Sequence, residues 1–94
     1  HDEQNMPMLI KTSPNSFEAS ARVEIEEFEK ISKINFLKDF YNEDVDTLGG
    51  LVVAIAGRVP QRGEIIKHES GLTFEINDAD PRRIKSIKIT SPKS

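Results

Sequence analysis

Asp46-Thr47-Leu48-Gly49-Gly50-Leu51-Val52-Val53-Ala54-Ile55-Ala56-Gly57-Arg58-Val59-Pro60 is the stretch on which the fold turns. Asp46 or Thr47 supplies a side-chain oxygen suited to cap the first N–H groups of a helix. Leu48, Leu51, Val52, Ile55 and Val59 then recur at the spacing of one helical face. The opposite face carries Gly49, Gly50, Val53, Ala54 and Gly57. A helix apolar on both faces is expected to be buried, and glycine on the second face lets another backbone approach closely. Gly57 can end the helix in a left-handed conformation, and Pro60 enforces the stop. This helix is therefore predicted to be the core.

Downstream, the period changes from helical to alternating. Glu64 to His68 reads as a strand, Glu69-Ser70-Gly71 as a turn, and Leu72, Phe74 and Ile76 alternate with Thr73, Glu75 and Asn77. Asp78-Ala79-Asp80-Pro81 is expected to be a loop. Ile87 and Ile89 then alternate with Lys88 and Thr90, while Ile84 falls out of phase, which a bulge near Lys85 would restore.

Upstream, Ile25, Phe28 and Ile31 sit at helical spacing, with Glu26/Lys30 and Glu29/Lys33 as opposite charges four apart on the other side. That is an amphipathic surface helix. Ile34 to Phe40 stays open between helix end and loop, and Tyr41-Asn42-Glu43-Asp44 reads as an exposed connection. Before the helix, Met8 to Ile10 begins a strand, Thr12 to Ser16 is dense in turn formers, and Phe17, Ala19 and Ala21 alternate beyond it. His1 to Pro7 is polar and without period. The order strand, strand, helix, helix, strand, strand, strand gives an α+β fold, an antiparallel sheet with two helices packed on one face.

The 94 residues suffice for one domain and one core, and a domain this small buries only about two-thirds of its unfolded surface. There is no cysteine, which excludes disulfides, thiolate metal sites and cysteine nucleophiles. The longest apolar run, Leu51 to Ala56, is far short of a bilayer-spanning helix, so the chain is expected to be soluble and without direct membrane insertion. A net charge of −3 argues against nucleic acid as a partner. The charge is uneven. Glu24, Glu26, Glu27 and Glu29 crowd one segment, whereas Arg82, Arg83, Lys85, Lys88 and Lys93 follow the last acid, Asp80. Solvated strand cations that discourage edge pairing account for the basic tail, and a contact with an anionic membrane face or an acidic partner is the sharper reading.

Gly49-Gly50 at a helix start invites phosphate, because free N–H groups and the positive helix end attract anions. Glu43, Asp44 and Asp46 would repel it, and no lysine follows the glycines as in a P-loop, so close packing is the preferred explanation. The same three acids are weak candidates for a hard divalent cation, without the spacing of an EF-hand. Arg58 suits the negative end of the helix, where it can bond the last carbonyls, with anion recognition or an interdomain salt bridge as the alternative. His68 reads as a half-exposed strand histidine. No serine, histidine and acid assemble into a triad, so no catalytic residue is assigned and the chain is expected not to be an enzyme.

Asp46-Thr47-Leu48-Gly49-Gly50-Leu51, Gly57-Arg58-Val59-Pro60 with Gly63, Gly71-Leu72-Thr73-Phe74-Glu75 and Arg82-Arg83-Ile84 follow one another in this order. On these residues the chain resembles the CorC/HlyC transporter-associated domain over about Met8 to Thr90. The resemblance implies residues 1–7 as a linker from a preceding CBS pair, 8–90 as the domain and 91–94 as a tail. It implies a fold similar to a FAD-binding domain type, with no cofactor assigned. It also implies a non-catalytic regulatory or interaction role in a magnesium and cobalt transporter or hemolysin-like protein, on the cytoplasmic side of the membrane. The partners implied are the CBS pair, the transmembrane domain and a second copy in a homodimer. A nucleotide or flavin sensor of the same transporter is the alternative. Arg58, Asp46, Thr47, Gly49 and Gly50 are the candidate contact residues under either reading.

Overall fold

A computed structural model of the protein describes residues 8–33 and 44–92. It has two hairpin-rich halves of one sheet joined by two helices: β1 (Leu9–Ser13), β2 (Ser16–Ser20), α1 (Ile25–Ser32), α2 (Leu48–Ala56), β3 (Ile65–Lys67), β4 (Thr73–Asp80) and β5 (Arg83–Thr90). The strands lie in the order β1-β2-β5-β4-β3, every neighbouring pair antiparallel. The α+β architecture expected from the sequence is the one observed. Ile34–Phe40 and the connection through Glu43 lie outside the described residues.

Two cross-strand rows make the inner face of the sheet. Phe17, Ile89 and Phe74 stand opposite one another across β2, β5 and β4, and Ala19, Ile87 and Ile76 form the next row. All six are buried. Side chains of a strand alternate between faces, so the intervening row Glu18, Lys88 and Glu75 faces outward, with opposite charges adjacent. Phe28 of α1 lays its ring edge-on against Phe17, centroids 5.4 Å apart at 80°. From α2 come Leu48, Leu51 and Val52, all fully buried. Each such side chain contributes about 1.5–3 kcal/mol by leaving water.

Thr47 is the N-cap of α2, its Oγ1 accepting from the Gly50 N–H at 3.1 Å, so the choice between Asp46 and Thr47 falls to Thr47. Gly57 ends the helix at φ 77°, donating its N–H to the Val53 carbonyl at 2.8 Å. The predicted bulge at Lys85 is present. The register steps from Ile87 opposite Ile76 to Ser86 opposite Asp78 and Ile84 opposite Ala79, passing over Asn77 and Lys85. That slip turns Ile84 inward beside Ile87.

Four expectations are corrected. Thr12 and Ser13 belong to β1 rather than the turn, because the Ser13 and Thr12 hydroxyls gather on the buried Ser16 Oγ at 2.6 and 2.9 Å and hold the strands together up to Pro14-Asn15. Asp78-Ala79-Asp80 belongs to β4 rather than a loop, since pairing with β5 continues to Asp80 opposite Arg83. The second face of α2 is only partly covered: Gly49 is buried, but Ala54 is exposed. Ile31 is 49% exposed although it shares the spacing of Ile25 and Phe28, so the buried part of α1 is its first half, where Ile25 and Phe28 enter the core.

Candidate functional site

The first three N–H groups of α2 are already bonded within the domain. Leu48 donates to the Val23 carbonyl and Gly49 to the Ala21 carbonyl, both at 2.9 Å, and Gly50 to its Thr47 cap. A helix start attracts an anion through unsatisfied N–H groups. With these three taken, they are not offered to a phosphate, and at Gly49 the geometry shows a close packing contact instead. A Cβ built on Gly49 would stand 2.7 Å from the Cβ of Ala21, so the helix start and the end of β2 touch where only glycine fits.

This contact forms the floor of an open cleft of about 580 Å³. Gly49, Gly50, Val53, Val59 and Ile84 give it an apolar base. Asp44 and Asp46 stand on its rim, as do Arg22, Arg82 and Arg83. Four of the five candidate contact residues, Asp46, Thr47, Gly49 and Gly50, therefore meet at one place.

Arg58 does not line this cleft. Its guanidinium forms a bidentate pair with Glu64, at 2.7 and 3.0 Å, and Glu64 also accepts the Gln61 N–H at 2.8 Å. Those bonds hold the Glu64 carboxyl at about 2, from an ordinary value of 4.5, with the Arg58 bond the largest cause and the Gln61 N–H next. The expectation that Arg58 binds the last helix carbonyls is corrected: an acid six residues on offers two oxygens in the geometry a guanidinium fork prefers. The pair clamps the turn that leads from α2 into β3.

The β4–β5 hairpin is closed in a similar way. Asp80 Oδ1 accepts the N–H groups of Arg82 and Arg83 at 2.8 and 2.9 Å, and these bonds first, then nearby cations, lower its pKa. The hairpin so fixed carries Arg82 and Arg83 to the cleft. Arg22 was not singled out in the sequence. It lies between buried Ala21 and Val23 and so must face outward, but its approach to Arg83 depends on β2 pairing with β5, across more than sixty intervening positions.

Among the weak metal candidates, Asp44 and Asp46 line the cleft, and Glu43 lies outside the described residues. Among the described residues no group of three or more histidines or acids is placed to hold a metal ion. His68 is half-buried but lies just past β3 rather than within it as expected, its Nδ1 accepting the Ser70 N–H at 3.1 Å in the turn that follows. No described helix is long and apolar enough to cross a membrane.

The model of the transporter associated domain CorC_HlyC matches residues 10–93. The magnesium and cobalt efflux protein CorC of Buchnera aphidicola subsp. Acyrthosiphon pisum is 35% identical over 94 residues, all of this chain and 31% of that protein. The hemolysin C homolog of Rickettsia conorii is 37% identical over 90 residues, 95% of this chain and 29% of that protein. Among solved structures, a CorC-associated region from Neisseria meningitidis superposes with a TM-score of 0.74 at 30% identity, covering 89% of this chain and 98% of that one. The chain thus spans roughly a third of the length of the curated relatives it matches.

Proposed function

The chain belongs to the CorC/HlyC transporter-associated domain family, and from that premise we propose that it is a non-catalytic regulatory and interaction domain of a membrane ion transporter. Residues 8–90 form the module, residues 1–7 lead into it from a CBS pair, and the whole works on the cytoplasmic side of the membrane. The CBS pair, the transmembrane domain and a second copy of the module are its partners. The observation that carries this reading is the cleft at the start of α2, where an apolar floor of Gly50, Val53 and Val59 is left open inside a rim of charges. An open apolar floor with a charged rim suits a reversible contact, since the floor gains from being covered and the rim fixes register. A neighbour that binds one arrangement of the domains better than another biases ion transport by that difference in affinity.

The test is cobalt or magnesium efflux from cells expressing the parent transporter, with Val53→Asp placed on the cleft floor. A changed rate or set point at unchanged protein level is expected. Efflux identical to that of the unaltered transporter would sink the reading.

A further inference from the structure

Beside the cleft lies a smaller hollow of about 230 Å³, lined by Arg22, Arg83, Lys85 and Ile84. Three cations meet there, and no carboxylate is in the lining. The hollow shares Arg22, Arg83 and Ile84 with the larger cleft, so the two adjoin. The nearby acid, Asp80, is turned to the backbone N–H groups of Arg82 and Arg83. Among the described residues the one ion pair at contact distance is Arg58–Glu64; Asp80 acts on the side chains of Arg83 and Lys85 only through its field, and no described carboxylate is bonded to the side chain of Arg22, Arg83 or Lys85. Gathered like charges repel one another, and an anion that enters relieves the repulsion.

Two guanidiniums and an ammonium around so small a space match a single compact oxyanion, because each guanidinium fork offers paired donors to a phosphate. A run of acidic side chains would not fit there and would continue into a cleft that has Asp44 and Asp46 on its rim. The body of a phosphate-bearing small molecule meets better terms in that cleft: apolar cover from Val53 and Val59, and a carboxylate, Asp46, able to accept from hydroxyl or amino groups.

We propose that Arg22, Arg83 and Lys85 bind the phosphate of a nucleoside-phosphate-like small molecule whose body lies in the cleft over Gly50 and Val53. This deepens the regulatory reading by naming the class of ligand, and it rests on that reading for what binding would accomplish. The binding itself is measured separately.

The 94-residue chain is titrated with AMP, inorganic phosphate and adenosine while its amide resonances are followed by NMR. AMP should move the amides of Arg22, Arg83, Ile84 and Lys85 together with those of Gly50 and Val53, phosphate only the first group, and adenosine neither. Arg22→Gln combined with Arg83→Gln should weaken AMP about tenfold or more. The melting temperature should be unchanged, and Arg58→Gln should leave the affinity as it was. Three results overturn the proposal: no response to AMP at millimolar concentration, tighter binding of a polyglutamate peptide at the same amides, or binding only to vesicles of anionic lipid. Each leaves the efflux test of the regulatory role standing, because Val53→Asp is read in ion flux and not in AMP affinity.

Discussion

Gly49 is pressed against Ala21: its N–H bonds the Ala21 carbonyl at 2.9 Å, and a Cβ added to it would come within 2.7 Å of the Ala21 Cβ. Both partners are backbone-rigid, one in a helix start and one at a strand end, so neither can turn aside. Gly49→Ala should therefore destabilise the domain by about 1–3 kcal/mol, the usual range for overpacking. At Gly50 the added Cβ meets Thr47 Oγ1 at 3.3 Å and Val45 Cγ1 at 3.7 Å. There the Thr47 hydroxyl, a side-chain group, has to yield by only a few tenths of an ångström, and alanine's better helix propensity, worth about 1 kcal/mol, works against that cost, so the loss should be smaller than at Gly49. Urea unfolding of the two variants should separate them, and equal losses at both positions would refute the close-contact account.

Thr47 is tested in the same transition. Thr47→Ala removes the oxygen that receives the Gly50 N–H and should cost about 1 kcal/mol, whereas Thr47→Ser, which keeps the oxygen, should cost a fraction of that. If the serine variant lost as much as the alanine variant, the hydrogen bond would not be the source of the cap's contribution.

Phe28 is fully buried and supplies the edge-to-face contact with Phe17 that joins α1 to the sheet. Phe28→Ala should cost about 3–5 kcal/mol, through lost burial and the cavity left behind. Small domains have about 5 kcal/mol or a little more in total. A variant largely unfolded at physiological temperature by circular dichroism is expected, and one with an unchanged melting temperature would mean that α1 is not docked as described.

The elements and the core were legible in the sequence because their signals are local. Phe17, Ala19 and Ala21 alternate, Leu48, Leu51 and Val52 repeat at helical spacing, and the phase error at Ile84 pointed to a bulge that the register places at Lys85. Of the candidate site, the residues that share one helix start were legible for the same reason. What escaped depended on pairing between distant segments. Arg22 meets Arg83 only because β2 lies beside β5, and nothing within a few residues of Arg22 signals that neighbour. Arg58 was misassigned at shorter range, since the turn through Gln61 and Gly63 had to fold back before Glu64 could reach it. Exposure at Ala54 and Ile31 was lost to a similar cause, as periodicity tells which residues share a face but not how much of that face is covered.

The Arg58–Glu64 clamp makes a pH prediction whose sign is fixed. Folding holds the Glu64 carboxyl at about 2, below its ordinary 4.5, because Arg58 and then the Gln61 N–H bond its charged form. The native state thus favours the ionised carboxylate. Its contribution is complete above the ordinary value and is lost as pH falls from 4.5 toward 2, where the carboxyl protonates in folded and unfolded chains alike. Both side chains are solvent-exposed enough for screening to keep the effect small, and added salt should reduce it further. The melting temperature of the unaltered chain should exceed that of Glu64→Gln at neutral pH, and the two should converge as pH approaches about 2. Arg58→Gln should raise the Glu64 titration, followed by the carboxyl carbon resonance, toward its ordinary value, since Arg58 is the largest cause of the shift, while the Gln61 N–H keeps part of it. Melting curves that stay parallel down to the lowest pH would show that the pair does not act through the charge of Glu64.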